Sequence, residues 1–382
     1  MWDELLSIPQ KELDIEIRER TSNVEWKAQF SPQLVEAHFS RLRNSRCLIA
    51  DPFAGSGTVL TEAQRLGHDS IGIELNYAPI ILGRIYSVSN LSQSAREKIF
   101  QRLEKALQPI LDNENMISWA DGLPDLAAHI EHAQKEDRDL LESIILLSSK
   151  RRGRLSRRLK LGLDKLGAIW KDMPTTDNKL EYVKGDARST GIQSKSVDII
   201  FTSPPYINVL NYHHNYRREI EVLGYGDVLV DAKSEIGANR HYRQNRFRIV
   251  VEFGLDMELS LREMSRILKP DGLGVIVIGK ESTVLGVTIP NAEIVRRICV
   301  EVLGLEVIAD RQRKFMNEFG EMIFEDLIYF TNKNIIFASS ETKIILRDIL
   351  SRCIGNCSEK NLPLIKDAIS KIDTTTISHL VE

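Results

Sequence analysis

The segment Cys47-Leu48-Ile49-Ala50-Asp51-Pro52-Phe53-Ala54-Gly55-Ser56-Gly57-Thr58 passes from apolar to glycine-rich to helix-forming within a few residues. Cys47 to Ala50 reads as a short buried strand. Gly55 and Gly57 permit a tight turn and close backbone approach, and Thr58-Val59-Leu60-Thr61-Glu62-Ala63 begins a helix. Strand, glycine turn and helix make a nucleotide-type cradle. The Lys-Ser/Thr pair of a Walker motif is missing, so it is not a phosphate loop. The next strand-like run, Ser70-Ile71-Gly72-Ile73-Glu74, ends in a carboxylate placed where an acid accepts ribose hydroxyls.

A second landmark lies far downstream. Val197-Asp198-Ile199-Ile200-Phe201 reads as a buried strand, stopped abruptly by Thr202-Ser203-Pro204-Pro205-Tyr206. The prolines restrain Ser203, Pro204 and Pro205, so their carbonyls are presented in one geometry. Tyr206 sets a flat aromatic face beside a serine hydroxyl. A planar base on that face can donate its exocyclic amine to Ser203 and to the Pro204 carbonyl. Alone, the run reads equally as a proline turn capped by an aromatic; the upstream cradle shifts the weight towards chemistry.

Together, DPFAGSGT and TSPPY resemble the S-adenosylmethionine-dependent DNA methyltransferases that modify exocyclic amines, giving N4-methylcytosine or N6-methyladenine. The resemblance covers roughly residues 30–91 and 182–333. It implies a class I methyltransferase, Rossmann-like α/β fold with a seven-stranded, mostly parallel sheet whose last strand is antiparallel. It also implies S-adenosylmethionine as cofactor, with Phe30, Asp51, Pro52, Phe53, Ala54, Gly55, Ser56, Gly57, Thr58, Glu74, Leu75 and Asp186 around it. On this reading a bulky residue at Gly57 fills the space that the ligand needs, and Asp186 accepts from the adenine amine or else caps a turn. Ser203, Pro204, Pro205 and Tyr206 are the implied catalytic residues, acting on a base flipped out of double-stranded DNA. Serine at the first position of the motif favours N4 of cytosine over N6 of adenine. The competing readings are an adenine-N6 enzyme, an RNA methyltransferase, and a catalytically inactive DNA-binding subunit. Restriction-modification or phage defence is the implied setting, with a cognate restriction endonuclease as the implied partner.

The composition is compatible with such an enzyme. The 382 residues suffice for a large core, and a net charge of −3 requires any nucleic-acid surface to come from local clustering. No apolar run is long enough to span a bilayer and no signal-peptide pattern is evident, which points to the cytoplasm. Cys47, Cys299, Cys353 and Cys357 read as free thiols, and no metal is expected.

In chain order, a helix is expected around residues 11–20, and a second begins at Ser31-Pro32, with serine as N-cap and proline at the first helical position. Residues 92–179 read as a helical insertion, too long for one crossover helix, between catalytic-domain segments 1–91 and 180–333. Residues 334–382 read as a small helical appendage. The insertion contains the most basic run of the chain, residues 150–160, with Arg151, Arg152, Arg157 and Arg158. A charge run is commonly a solvated face; clustered arginine in a nucleic-acid enzyme also suits phosphate contacts. Beyond Tyr206, Asn208, Asn211, Tyr212, His213, His214 and Tyr216 crowd polar and aromatic groups together. Residues 239–248 alternate cations and aromatics, with Arg240, Arg243 and Arg246 as further DNA-binding candidates. A helix is expected over 257–268, a turn at Lys269-Pro270-Asp271-Gly272, and a buried strand from Leu273 to Gly279.

Overall fold

The structure, a computed structural model, describes the chain except residues 1, 16–19, 21–23, 25–30, 43–45, 114–116, 208–214, 227–231, 239–240, 318–319, 333–339 and 381–382. Nine strands are present among the described residues: β1 (Leu48–Asp51), β2 (Asp69–Glu74), β3 (Leu180–Lys184), β4 (Val197–Thr202), β5 (Leu268–Gly279), β6 (Ser282–Val284), β7 (Val287–Ile289), β8 (Glu306–Met316) and β9 (Met322–Thr331). Seven form one sheet in the order β3-β2-β1-β4-β5-β9-β8, and β6 and β7 pair as a separate hairpin. Neighbours from β3 through β5 are parallel, while β9 runs antiparallel to both β5 and β8. This is the class I methyltransferase sheet. Its central strands β1, β4 and β5 are almost wholly buried, which is why they read as continuous apolar runs rather than alternating ones.

The sheet is covered on both faces. On one, the helix Pro32–Phe39 buries Leu34, Val35 and Phe39 together with Phe201 and Tyr329. His38 of this helix is also buried, its Nδ1 2.7 Å from the Leu34 carbonyl and its Nε2 2.9 Å from the Tyr329 hydroxyl. Burial lowers its pKa to about 4, so it is a neutral core histidine. On the other face, the helix Arg248–Ile267 packs with Ile345, Leu346, Ile349 and Leu350 of the helix Thr342–Cys353. The chain beyond β9 therefore shares the main core.

Among the described residues, 92–179 hold four helices, Gln93–Leu111, Trp119–Glu131, Lys135–Ser149 and Leu155–Asp172, which share one core with the helices Tyr77–Gly83 and Arg217–Val222. The beginning and end of this insertion are joined by Arg96, 1% exposed, whose guanidinium donates to the carbonyls of Val88 and Ser89, just before residue 92, and of Met173 and Pro174, just past the last of these helices. Backbone carbonyls are the partners that let so buried a cation remain charged.

Local expectations fail in three places. Among the described residues the N-terminal segment forms two short helices, Asp3–Leu6 and Gln10–Leu13, and Asp14 ends the second by donating its amide to the Gln10 carbonyl; residues 16–19 of the helix expected over 11–20 lie outside the described residues. The expected helix at 257 begins earlier, at Arg248, because Ile249, Val250, Val251 and Phe253 are all buried against the core. Lys269 to Gly272 lie within β5 rather than in a free turn. Val197 pairs with Leu268 and Ile199 with Leu273, so the extra residues form an irregularity inside the strand.

Candidate active site at the strand ends

One cleft of about 860 Å³, open solvent at its mouth included, is lined from the carboxyl ends of four adjacent parallel strands. After β1 come Pro52, Phe53, Ala54, Gly55, Ser56 and Thr58, and the end of β2 adds Ile73, Glu74, Leu75 and Asn76. β3 leads into Gly185, Asp186 and Ala187, and β4 into Ser203 and Pro205. Open α/β sheets bind ligands at these ends because the loops diverge there. Ser234, Glu235 and Ile236 close the remaining side. No periodicity or motif in the sequence singles them out, and they were not expected.

Two sequence landmarks more than a hundred residues apart are joined here by a hydrogen bond. The Thr202 hydroxyl donates to Asp51 Oδ1 at 2.6 Å, and the same oxygen accepts the Phe53 amide at 3.0 Å. Asp51 thus lies beneath the cleft, tying the glycine loop to the proline loop. Burial raises its pKa from 3.8 to about 7, with the two hydrogen bonds opposing the shift. The consequence for stability follows from linkage. Between pH 3.8 and about 7 the unfolded carboxyl loses its proton while the folded one keeps it, so stability is lost as pH rises through that window. Asp51→Asn should flatten that part of the pH–stability curve by on the order of 4 kcal/mol. Urea unfolding from pH 4 to pH 8 reads this, and an unchanged curve would refute the assignment.

Glu74 is buried at the end of β2. Its Oε2 accepts the Gly55 amide at 2.9 Å, and its Oε1 accepts the Asn76 amide at 2.7 Å and Asn76 Nδ2 at 3.1 Å. Burial raises its pKa, those hydrogen bonds lower it, and nearby Glu235 raises it further. Asp186 lines the cleft but directs both oxygens at Arg188: Oδ1 accepts the backbone amide and Nε, each at 2.9 Å, and Oδ2 accepts Nη2 at 2.6 Å.

Gly57 does not line the cleft. Its φ is +78°, and an added Cβ would stand 2.9 Å from Tyr182 Cε2. Tyr182 in turn donates its hydroxyl to the Gly55 carbonyl. Tyr206, half-buried next to the lining residue Pro205, donates its hydroxyl to Glu325 Oε1 at 2.7 Å. Pro204 is buried between the lining residues Ser203 and Pro205.

The arginine candidates divide. Arg152 and Arg157 are exposed at the turn into the helix Leu155–Asp172. Arg158 bonds internally to the carbonyls of Ser148 and Ser149 and lies 4.1 Å from the Trp119 ring centroid. Arg151 and Arg246 also have interaction partners, and Arg243 is exposed. The basic turn adjoins the segment after the proline loop: Lys150 Nζ sits 4.7 Å over the Tyr216 ring. Phe30, Arg240, Asn208, Asn211, Tyr212, His213 and His214 lie outside the described residues.

Carboxylates and apolar side chains line the cleft, with no lysine or arginine among the described lining residues. That donor set suits a cationic ligand bearing hydroxyls and amines, and it does not suit a phosphate. Sheet order and strand-end cleft are those of the class I, Rossmann-like methyltransferase fold. Residues 5–80, about a fifth of the chain, match the model of the N6/N4 methyltransferase family, described as DNA methylase, a match that indicates S-adenosylmethionine as cofactor.

Over 63 residues the chain is 43% identical to the Type II methyltransferase M.MjaII of Methanocaldococcus jannaschii, a match covering 15% of this chain and 12% of that protein. Among solved structures it is similar to a putative RNA methyltransferase from Pyrococcus horikoshii (TM-score 0.35, 13% identity, 86% of this chain and 100% of that one). A second is an S-adenosylmethionine-dependent methyltransferase from Methanosarcina mazei (TM-score 0.34, 11% identity, 75% of this chain and 93% of that one). Among the described residues no helix is long and apolar enough to cross a membrane.

Proposed function

We propose that the protein transfers a methyl group to the exocyclic N4 of a cytosine flipped out of double-stranded DNA, in a cytoplasmic restriction-modification or phage-defence setting. The observation that carries this reading is the shared cleft, where Ser203 and Pro205 of the proline loop face the same space as the glycine loop and Glu74. When bound, S-adenosylmethionine supplies the methyl as an electrophile. The glycine loop, Glu74 and Leu75 hold its adenosyl part. Asp186 orders the turn after β3 through Arg188.

The chain's own task at the acceptor is to make a poor nucleophile reactive. An exocyclic amine has its lone pair delocalised into the ring. Ser203 Oγ and the Pro204 carbonyl accept its two N–H bonds, which favours a pyramidal nitrogen with its lone pair aimed at the methyl. After transfer the nitrogen is acidic enough to lose its proton to the site or to water. The base reaches the cleft only after leaving the duplex, and Tyr206 offers it a ring face. Exposed Arg152 and Arg157, on the turn that adjoins Tyr216, supply phosphate contacts.

Incubating the protein with labelled donor and unmodified genomic DNA, followed by nucleoside mass spectrometry, tests the reading. N4-methylcytosine is expected. N6-methyladenine would select the adenine alternative, and label entering RNA but not duplex DNA would overturn the DNA assignment.

A further inference from the structure

Tyr206 is held by residues that lie far from it in the sequence and next to one another in the sheet. Gly279 of β5 pairs in register with Glu325 of β9, and Glu325 pairs with Arg313 of β8. The three positions form a transverse row beside the proline loop. The Tyr206 ring packs where Gly279 lacks a side chain: an added Cβ would lie 2.7 Å from its Cε2. Its hydroxyl donates to Glu325 Oε1 at 2.7 Å. The other oxygen, Oε2, accepts Arg313 Nε at 2.7 Å and Nη2 at 2.6 Å. Glu325 is 8% exposed and Arg313 5%, and the guanidinium lies 4.7 Å from the Phe315 ring centroid.

We propose that the row Gly279–Glu325–Arg313 fixes the plane of the Tyr206 ring, so that Glu325 is a positioning residue for methyl transfer. The inference rests on the reading of Tyr206 as the surface that receives the flipped base. Two torsions orient a tyrosine ring. Contact of the ring with the Gly279 backbone limits one, and anchoring the hydroxyl to a carboxylate held by a two-pronged guanidinium limits the other. The tether also decides what Tyr206 can do. Its hydroxyl proton is engaged by Glu325, so the ring face and not the hydroxyl is offered to substrate. Burial, and then the Glu325 charge, push the Tyr206 pKa well above the usual tyrosine value, so the donor proton remains through the neutral range. A buried ion pair that served only packing would not need the tyrosine: Arg313 already satisfies Oε2, and Oε1 is the oxygen that reaches the proline loop.

Tyr206→Phe cuts the tether, keeps the ring, and leaves the Arg313–Glu325 pair intact. Glu325→Gln weakens the same link from the other end, and Gly279→Ala pushes on the ring itself. Turnover on duplex DNA, donor affinity by titration calorimetry and thermal stability are measured for each. Each variant should lower kcat about tenfold or more, since a misplacement of about 1 Å can cost 100-fold. Donor affinity should stay at the wild-type value. The Tyr206→Phe/Glu325→Gln double variant should be no slower than its slower parent, because both changes cut one link. Effects that multiply, or wild-type kcat in Tyr206→Phe, would overturn the proposal. If Glu325→Gln fails to fold, Tyr206→Phe with Gly279→Ala decides in its place. Failure of the underlying reading shows separately: the wild-type protein would then transfer no methyl to duplex DNA, and the proposal would fall with it.

Discussion

Gly57→Val should weaken donor binding by about 100-fold or more while leaving a folded protein. Gly57 sits at φ +78°, ψ +22°, caps the helix Thr58–Arg65, and donates its amide to the Ala54 carbonyl at 2.8 Å. A left-handed backbone costs an ordinary residue roughly 1–2 kcal/mol, and a β-branched one more. The added Cβ would also stand 2.9 Å from Tyr182 Cε2, and both valine methyls would press on that ring. Tyr182 cannot simply swing aside, because its hydroxyl holds the Gly55 carbonyl and its ring is also packed on Gly83. The loop must move, and its Gly55 amide leaves Glu74 with it. Strain plus overlap of about 3 kcal/mol or more makes the binding-competent loop a minor state, which lowers apparent affinity by about 100-fold or more. Titration calorimetry with S-adenosylmethionine measures this directly. Wild-type affinity in Gly57→Val would remove the cradle from the donor site.

The same glycine marks where the sequence stops being informative. Its reading gives the free space at Gly57 to a ligand, and the structure gives it to Tyr182, which arrives from β3 across the insertion. Local signals were legible: the apolar strands β1 and β4, the serine–proline helix start, and the two loops whose residues meet in one cleft. The third and fourth walls of that cleft were read unevenly. Gly185 and Asp186 end a recognisable strand, whereas Ser234, Glu235 and Ile236 carry no local signature of a binding wall. Partners set by register across the sheet were equally invisible. Glu325 reads as one acid among many until β9 is placed between β5 and β8, since only then does it face Tyr206. Arg158 shows the converse. Its charge run suggested solvent or phosphate, but its contacts with Trp119 and two helix-end carbonyls depend on a helix pairing that no window of sequence contains.

Arg188→Leu should be the most destabilising single change near the site, and its effect should grow with pH. The Arg188 side chain is fully buried between two carboxylates, Asp186 at 2.6 Å and Asp256 at 2.7 Å. It also donates to Ser378 Oγ at 2.7 Å and to the His379 carbonyl at 2.6 Å, so it joins the turn after β3, the helix Arg248–Ile267 and the C-terminal segment. Removing one partner of a buried ion pair leaves the other charge uncompensated, at a cost of roughly 3–5 kcal/mol. Lysine keeps the charge but not the fork, so Arg188→Lys should recover part of the loss.

The pH dependence separates charge from packing. Burial raises the Asp256 pKa to about 6 even though Arg188 pulls it down. Without the guanidinium that carboxyl rises further. A carboxyl raised in the folded state loses stability as pH climbs from its unfolded value, 3.8, to its folded one, so the variant loses stability over a wider window than wild type. The deficit of Arg188→Leu should therefore be small near pH 5 and largest at pH 8, as read by urea unfolding at both. Donor affinity should fall as well, because Asp186 and the turn it holds line the cleft. A deficit that is the same at both pH values would assign Arg188 to packing, and one below about 1 kcal/mol at pH 8 would mean the buried acids are neutralised by other means.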